Sequence, residues 1–443
     1  MDRQVHVGMD DIDSPKGGCT THFASLLVER LSKWDVVWSD YPNLIRLNPN
    51  IPFRTRGNGA IALRFSIQEK RIEDLIPLIE EMIHDYTQLD YPNTNPGVAL
   101  VKGEIPEAIH DLSQRALWRT IPVISAKRIV EEAGVASISH GNSRGLVGAL
   151  SAIGSNLELD YTYEYIAYRS IENVHEARGV NDNSVFAMSK AMGNKLFSSV
   201  DSQTGRSMIT PHGPDPVLFG IRGERPEFVV EAAKHIESQQ LVDRWIVFRT
   251  NQGTGAHLMN CVYISDLRPY MAAVVHGVVD DKPRMIEGGH VLFRVGDCTG
   301  QIDCAAYEPT GEFREPITSL AKGDQVLIHA GVRPASRTHG MTLNVEGLEV
   351  LQLATQLMRE NPICPQCEKR MKSAGAKKGY KCFHCGFKDP EAKKIETPTR
   401  RKIKEKMYLP PTRAQRHLTR PEVRFNRKNN EAILSLIKGW SSH

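Results

Sequence analysis

The first 125 residues show strand and helix patterns in turn. Apolar residues alternate with other residues from Val5 to Met9, which predicts a strand, and helical spacing follows between Phe23 and Leu31. A second alternating stretch runs from Ala60 to Phe65, and the segment from Ile72 to Ile83 has the pattern of an amphipathic helix. These elements predict a mixed α/β domain over residues 1–125.

The pattern changes twice further along the chain. Residues 126–265 predict a second α/β domain, in which Ser143 to Gly154 form a buried helix whose glycines serve close packing. From about Tyr270 the chain shows five short strand patterns, with a helical segment between the third and the fourth. This layout favours an OB-fold β-barrel over residues 266–356, with another small barrel or a sandwich as the alternative.

Composition narrows the classes of protein that fit this pattern. Apolar residues make up 40% of the 443 residues and charged residues 24%, as in ordinary folded domains. No apolar run reaches the roughly 18–20 residues that span a bilayer. The N-terminal segment carries acids where a signal peptide needs an apolar stretch. We therefore expect a cytoplasmic protein with no membrane association.

Charge is divided unevenly along the chain. The net charge is +4, but residues 361–443 hold 21 Lys and Arg against seven Asp and Glu. A basic C-terminal tail, residues 391–443, on an acidic body favours a nucleic-acid partner, with a solvated or disordered tail as the alternative. Aromatic residues of this end could stack on bases. The candidate RNA contacts are Lys377, Lys378, Arg413, Arg416 and Arg420, with Tyr408, Phe425 and Trp440 as stacking residues.

Four of the eight cysteines form two close pairs. Two residues separate Cys364 from Cys367 and Cys382 from Cys385, and 14 residues lie between the pairs. In a cytosolic chain this spacing is typical of a zinc ribbon, in which four thiolates complete a tetrahedral shell and leave no open position. The sequence therefore predicts a structural Zn²⁺ site in a ribbon over residues 360–390.

Three carboxylates follow the first strand, in the loop GMDDIDSPKGGCTT. Asp10, Asp11 and Asp13 crowd the end of the strand, and neighbouring carboxylates repel one another unless a cation neutralises them. Mg²⁺ binds one or two carboxylates together with substrate phosphates and water. The three acids are therefore candidate Mg²⁺ ligands and catalytic residues.

The rest of the same loop fits a phosphate. Lys16 is a cation for a phosphate, and Gly17 and Gly18 allow a close approach of the backbone. Thr20 and Thr21 stand where the next helix begins, and a helix N-terminus favours anions. The alternative is a polar turn in which one threonine caps the helix. The loop lacks the P-loop pattern, so any nucleotide site here is of another type.

A second glycine-rich loop, RTRGNGA, carries two arginines. Guanidinium groups beside glycines suit phosphate or ribose recognition, and a basic surface loop is the alternative. The candidate phosphate-binding residues, including those of the first loop, are Gly17, Gly18, Arg56, Gly57, Asn58 and Gly59.

Eight segments stand in order along the chain: GMDDIDSPKGGCTT, RLNPNIPFRTRGNGA, TNPG, RGLVGALSAIG, PVLFGIRGE, EGGHVLFRV, CAAYEPT and NPICPQC. In these segments and in their order the chain resembles the archaeal isoleucine-tRNA agmatinylcytidine synthetase family over nearly its whole length. The resemblance implies a kinase-like domain, a ferredoxin-like domain, an OB-fold and a zinc ribbon. The stretch Ile171 to Gly213 is only weakly similar to the family, and the tail beyond Pro421 matches no feature of it.

The resemblance also implies a reaction. The family replaces the 2-oxo oxygen of the wobble cytidine in the CAU anticodon of an isoleucine tRNA with agmatine, consuming ATP, and the tRNA then reads AUA. Phosphorylation of the base oxygen makes it a leaving group for the attacking amine. A loop threonine becomes phosphorylated in the family, and the matching position is Thr20, with Thr21 still open.

Two other functions remain as alternatives. A non-enzymatic nucleic-acid-binding protein would use the OB-fold and ribbon but leaves the acidic loop unexplained. A kinase with an RNA-binding appendage would use the acidic loop but leaves the barrel and ribbon without a role. ATP turnover would exclude the non-enzymatic nucleic-acid-binding protein. Dependence of that turnover on tRNA would distinguish the tRNA-modifying enzyme from a kinase with an RNA-binding appendage.

Overall fold

One large sheet organises the first part of the chain. The structure is a computed structural model that describes residues 2–14, 17–54, 57–376 and 378–443. Within these residues the sheet has ten strands: β1 (Asp2–Asp10), β2 (Val37–Trp38), β3 (Asn43–Arg46), β4 (Gly59–Gln68), β5 (Gly97–Lys102), β6 (Ala136–Ser139), β7 (Thr162–Tyr168), β8 (Leu196–Phe197), β9 (Val217–Gly223) and β10 (Arg244–Thr250).

The sheet is continuous across the two predicted α/β domains. The strand order is β6-β5-β1-β4-β3-β10-β7-β9-β8, with β2 beside β4. A short parallel pairing of β3 with β10, Asn43 opposite Arg249 and Leu44 opposite Thr250, joins the two halves. The pairs on either side of it, β3 with β4 and β10 with β7, are antiparallel.

Helices cover both faces of the sheet. Within the described residues they are α1 (Thr20–Ser32), α2 (Ile72–Tyr86), α3 (Glu107–Ala116), α4 (Val123–Glu132), α5 (Gly145–Gly154), α6 (Asp182–Met192) and α7 (Pro226–Ala233). Apolar residues of α1 and α2 form one core with those of β1, and α3 to α7 contribute to a second core. Among the described helices, none combines the length and apolar character that a membrane crossing requires.

Glycines let α5 lie directly on β1 and β5. A Cβ at Gly8 would overlap the backbone of Ala149, and a Cβ at Gly97 would overlap the backbone of Gly145. Backbone atoms cannot yield as a flexible side chain can, so these glycines set how closely the helix approaches the sheet. Within α5 itself, a Cβ at Gly145 would overlap the backbone of Gly97 and one at Gly154 the backbone of Ile109, which confirms the predicted role of the α5 glycines in close packing.

The five-stranded barrel predicted from the sequence is confirmed. Its strands are β11 (Ala272–Val279), β13 (Val291–Gly296), β14 (Gln301–Ala306), β15 (Gln325–Arg333) and β16 (Thr342–Gln352); β12 (Arg284–Met285) extends β13, and α8 (Arg314–Thr318) lies between β14 and β15. Pairing of β11 with both β13 and β15 closes the barrel, and β14 runs parallel to β16.

Small antiparallel sheets follow the barrel. Strands β17 (Leu357–Glu360) and β21 (Ile395–Pro398) form a two-stranded stem, and β18 (Lys372–Ser373), β19 (Tyr380–Lys381) and β20 (Lys388–Asp389) form the sheet of the cysteine segment. Strand β22 (Met407–Tyr408) then pairs with β16 of the barrel.

The end of the chain packs on the large sheet. The Ile437 amide donates to the Tyr41 hydroxyl at 2.8 Å, and the Val247 amide donates to the Trp440 carbonyl at 2.8 Å. The Trp440 ring makes edge contacts with Trp38 and Tyr41. Trp440 therefore contributes to the packing of the body, and its stacking on bases stays a prediction.

Candidate functional site

Asp10 ends β1 where α5 crosses the sheet. A Cβ at Gly148 of α5 would overlap the Asp10 carboxylate, so this glycine makes room for the acid. Burial of the carboxylate, and then the negative charges of Asp11 and Asp13, raise the pKa of Asp10 well above its usual range. The three acids predicted to cluster therefore do lie within electrostatic reach of one another.

Asp11 is buried beside a cation. Its backbone has a φ of 59°, a left-handed conformation that aspartate tolerates better than most residues. Its Oδ2 lies 3.5 Å from Arg144 Nη2 and accepts a hydrogen bond from Asn95 Nδ2 at 3.3 Å. Its Oδ1 is buried with no hydrogen-bond partner among the described residues. Burial outweighs the effect of Arg144 and raises the pKa of Asp11 to about 6.

Asp13 holds the start of α1. Its Oδ1 accepts hydrogen bonds from the Thr20 amide at 2.6 Å and from the Thr20 hydroxyl at 3.2 Å. The neighbouring hydroxyl of Thr21 lies 3.0 Å from Cys19 Sγ. Both threonines are buried, and of the hydrogen bonds described here it is the Thr20 hydroxyl that donates to one of the three acids.

The glycines of the acidic loop adopt conformations that need glycine. Gly17 and Gly18 have φ values of 135° and 80°, and the Gly17 amide donates to the Ser14 carbonyl at 3.2 Å. Lys16, the predicted phosphate ligand, lies outside the described residues.

The described residues of the RTRGNGA loop border two cavities, a small one at the acids and a larger one that several arginines line. Asn58 lines a small cavity of about 50 Å³ together with Asp10, Asp11 and Arg54. Its Nδ2 donates to the Asn48 carbonyl at 2.8 Å. The predicted Gly57 and Gly59 pack against the Arg46 guanidinium, and Arg56 lies outside the described residues.

Positive charge converges on a second cavity of about 400 Å³. Arg46, Arg54, Gly57, Arg416 and His417 are among its lining residues. Burial and then the charges of the surrounding arginines hold the pKa of His417 well below its usual range, so the ring is neutral at pH 7. Asp215 also lines this cavity, which we call the basic pocket, and Glu164 and Glu346 lie 4.0 Å from Arg46 and 3.5 Å from Arg416, so its positive charge is partly compensated.

The four paired cysteines converge as a metal site would. Cys364 Sγ lies 3.5 Å from Cys385 Sγ, Cys367 Sγ lies 3.4 Å from Cys382 Sγ, and all four sulfurs lie within 4.8 Å of one another. Each pair ends in a turn closed by a residue of positive φ, Glu368 in one and Gly386 in the other. A tetrahedral Zn²⁺ with Zn–S bonds of about 2.3 Å fits four thiolates in this arrangement.

Three family models match parts of the chain. They describe the TiaS TCKD domain at residues 6–72, the TiaS FLD domain at residues 143–257 and the TiaS C-terminal zinc ribbon domain at residues 361–403. The isoleucine-tRNA 2-agmatinylcytidine synthetase TiaS of Staphylothermus marinus is 42% identical to this chain, over 96% of this chain and 95% of its own. The relative of the same name from Thermococcus sibiricus is 39% identical, over 98% and 99%.

The chain belongs to the TiaS family. Solved structures of the family have the same fold. The crystal structure of TiaS in complex with its isoleucine tRNA and ATP matches with a TM-score of 0.85 at 34% identity, covering 96% of this chain and 98% of that one. The complex of TiaS with the same tRNA, AMPCPP and agmatine matches with a TM-score of 0.82 at 32% identity and the same coverage.

The predicted RNA contacts of this TiaS-family chain occupy different environments. Lys378 is exposed in the ribbon, and Lys377 lies outside the described residues. Arg416 lines the basic pocket. Arg413 pairs with the buried Asp201 at 3.1 Å, and Arg420 pairs with Asp160 at 2.7 Å. The guanidinium groups of Arg413 and Arg420 therefore hold the C-terminal segment on the body. Their contribution to RNA binding remains a prediction.

Sequence reasoning missed the partners of Asp11. Arg144 and Asn95 stand in two of the segments that carry the family resemblance, RGLVGALSAIG and TNPG. Their position in these segments was the one sign in the sequence that they belong to the site, but neither residue is near Asp11 along the chain. Only the packing of α5 on β1 and β5 brings all three together.

Proposed function

We propose that this chain attaches agmatine to the 2-oxo position of the wobble cytidine in the CAU anticodon of isoleucine tRNA, so that the tRNA decodes AUA. The reaction consumes ATP and passes through a phosphorylated base, and it takes place in the cytoplasm. One observation carries the proposal: a partly buried cluster of Asp10, Asp11, Asp13 and Thr20, in a family whose members have been crystallised with an isoleucine tRNA, ATP and agmatine.

Mg²⁺ fits the acidic cluster. Asp11 Oδ1 is buried without a partner among the described residues, and burial raises the pKa values of Asp10 and Asp11 despite the nearby Arg144. The oxygens of Asp10, Asp11 and Asp13 do not all converge within 4.8 Å of one another, so one or two of these acids would hold the ion together with substrate phosphates. When bound, Mg²⁺ neutralises phosphate charge during phosphoryl transfer.

The chain's own residues position the reacting groups. Asp13 holds the Thr20 hydroxyl at the acidic cluster, where it is placed to accept a phosphoryl group. In base activation, the 2-oxo oxygen of cytidine forms a bond to phosphorus and the bond to the leaving group breaks. The agmatine amine then forms the C2–N bond, the C2–O bond breaks, phosphate departs, and the amine gives up a proton to a general base.

The basic pocket binds phosphate. Arg46, Arg54 and Arg416 present guanidinium groups beside a neutral imidazole, and guanidinium groups bind phosphate oxygens strongly. Because Arg54 and Leu47 also border the small cavity at Asp10 and Asp11, a nucleotide phosphate bound here lies next to the acidic cluster. The side chain of Lys378, which is exposed in the ribbon, supplies a further contact to the phosphate backbone of the tRNA.

We also propose the domain division expected from the sequence. A kinase-like domain comprises residues 1–125, a ferredoxin-like domain residues 126–265, an OB-fold residues 266–356, the ribbon residues 360–390 and the basic tail residues 391–443. The element order β7-α6-β8-β9-α7-β10 supports the second, because it is the β-α-β-β-α-β order of ferredoxin-like domains.

The deciding experiment uses purified protein, ATP, Mg²⁺ and an isoleucine tRNA transcript with a CAU anticodon, with and without agmatine. We expect a nucleoside heavier than cytidine by one agmatine minus water, only when ATP and agmatine are both present. No ATP turnover would favour a non-enzymatic nucleic-acid-binding protein. Turnover that is independent of tRNA would favour a kinase with an RNA-binding appendage.

A further inference from the structure

A second group of metal-ligating side chains lies away from both the acidic loop and the cysteines. Glu80 and His84 are one turn apart on α2, and His140 follows β6 at the edge of the large sheet. Nε2 of His140 lies 2.9 Å from Glu80 Oε1, and Nε2 of His84 lies 3.3 Å from the same oxygen. The two imidazole rings meet nearly at right angles, with centroids 5.5 Å apart.

We propose that Glu80, His84 and His140 form a binding site for a divalent transition metal of the zinc class. One ligand atom from each residue lies within 4.8 Å of the other two. A tetrahedral ion with bonds of about 2.0–2.1 Å to nitrogen and oxygen holds its ligands roughly 3.3 Å apart. The His84–Glu80 distance of 3.3 Å matches that spacing, whereas the His140–Glu80 distance of 2.9 Å is that of a hydrogen bond, so these two side chains must separate slightly to admit the ion.

The ligand set selects the kind of metal. Two imidazoles with one carboxylate suit Zn²⁺, Ni²⁺ or Cu²⁺, whereas Mg²⁺ prefers oxygen ligands alone. Three protein ligands also leave a fourth position for water, unlike the closed set of four thiolates in the ribbon. The proposed site is therefore chemically distinct from the acidic cluster and from the ribbon.

The ligands are positioned by the fold and open to solvent. Residues four apart on a helix share one face, which places His84 over Glu80. The His140 amide donates to the Pro96 carbonyl at 3.0 Å, and the Ser143 amide donates to the His140 carbonyl at 3.1 Å, so the turn that carries His140 is fixed. The side chain of His84 is 59% exposed, which leaves an ion a direct path from solvent.

A bound metal would join α2 to the turn that precedes α5. That turn leads directly to Arg144, whose guanidinium lies beside Asp11. The ion would therefore brace the element that supports the acidic cluster without touching the reacting atoms. Its expected effect is on stability.

The test uses the full chain with its ribbon zinc in place, quantified beforehand, and excess Mg²⁺ to occupy the acidic cluster. Titration with Co²⁺ should fill one further site and give visible d–d bands without a thiolate-to-cobalt charge-transfer band. Added Zn²⁺ should displace the Co²⁺ and raise the Tm. The variants Glu80→Gln, His84→Ala and His140→Ala should each lose the bands, and His235→Ala, which removes an exposed histidine elsewhere, should keep them.

Two results would overturn the proposal. One is the absence of a further Co²⁺ site in the wild-type chain. The other is unchanged Co²⁺ binding in His84→Ala, a surface substitution that leaves the core intact. If His140→Ala disturbs folding, the His84 and Glu80 variants still decide the question, because both side chains are at the surface of α2.

Discussion

Asp13 Oδ1 accepts two hydrogen bonds from Thr20, one from the amide at 2.6 Å and one from the hydroxyl at 3.2 Å. The Ile12 amide also approaches this hydroxyl, at 3.3 Å. The first residue of α1 is thereby tied to the acidic loop through its side chain. The Thr21 hydroxyl lies instead against Cys19 Sγ, so the geometry favours Thr20 of the two threonines that the sequence left open.

Substitution of the two threonines should separate their roles. We expect Thr20→Val to slow tRNA modification by about 100-fold or more, because valine keeps the shape but removes the hydroxyl that Asp13 holds. Thr21→Val, the matched control, should retain most activity. Modification rates would be measured by nucleoside mass spectrometry after the fold has been checked by circular dichroism. A larger loss in the Thr21 variant would assign the role to Thr21 instead.

Removal of one charge from the acidic cluster should abolish the ATP-dependent chemistry. Asp11→Asn keeps the size of the side chain but weakens cation binding, so we expect ATP turnover to fall by about 100-fold while tRNA affinity stays within about twofold. Asp2→Asn, at the exposed start of the same strand, is the control. Turnover of the Asp11 variant at wild-type rates across a Mg²⁺ titration would refute the assignment.

Features built from neighbouring residues were predictable from the sequence. The barrel strands alternate apolar and polar positions locally, and the zinc site rests on two short cysteine spacings. The continuous sheet was not predictable, because it depends on the pairing of β3 with β10, whose partner residues are about 200 positions apart. The packing of Trp440 did have a signal in the sequence, because Ile433, Leu436, Ile437 and Trp440 recur at i, i+3, i+4 and i+7 in the otherwise basic tail, and these four residues pack on the core.

The candidate site likewise has some features that the sequence predicts and others that only the folded structure shows. The clustering of Asp10, Asp11 and Asp13 follows from their adjacency. The contacts of Asp11 with Arg144 and Asn95, and the basic pocket that Arg54 shares with Arg416, come from segments far apart in the chain. Such contacts require the packed structure, because local spacing carries no information about them.

The ribbon should depend on its metal. Cys382→Ser removes one of four thiolates, so we expect loss of bound zinc, disorder of the ribbon and at least a severalfold weaker affinity for tRNA. Cys261→Ser, which changes an exposed cysteine outside the ribbon, should alter neither. Zinc content would be measured by atomic absorption and affinity by filter binding. Full tRNA affinity in a zinc-free Cys382 variant would remove the ribbon from the RNA interface.

Arg424 should hold the C-terminal segment on the body. Its fully buried guanidinium donates to Asp160 at 2.9 Å, Glu224 at 2.8 Å and the Gly253 carbonyl at 2.7 Å. Arg424→Ala removes the cation beside Glu224 and one of the two arginines that pair with Asp160, which keeps Arg420, and we expect a loss of about 3 kcal/mol in the free energy of unfolding. Lys428→Ala removes an equal charge at an exposed position and should cost little. Equal urea midpoints for the two variants would contradict this role.

His6 should make stability depend on pH. Its Nδ1 lies 3.1 Å from Arg64 Nη1 and its Nε2 lies 3.0 Å from the Gly103 carbonyl. Because a guanidinium only donates, Nδ1 accepts and the neutral ring donates from Nε2. Burial, and then the Arg64 charge, lower the pKa of His6 to about 4.

This pKa fixes the sign and the range of the effect. An unfolded histidine titrates near 6.5, so between about pH 6.5 and pH 4 the unfolded chain binds a proton that the folded chain does not. The free energy of unfolding should therefore fall with falling pH, by up to about 1.4 kcal/mol per pH unit from this residue. His6→Gln retains both hydrogen bonds but does not titrate. Urea unfolding of both proteins across this range should give a shallower slope for the variant, and equal slopes would mean that His6 keeps its ordinary pKa in the folded chain.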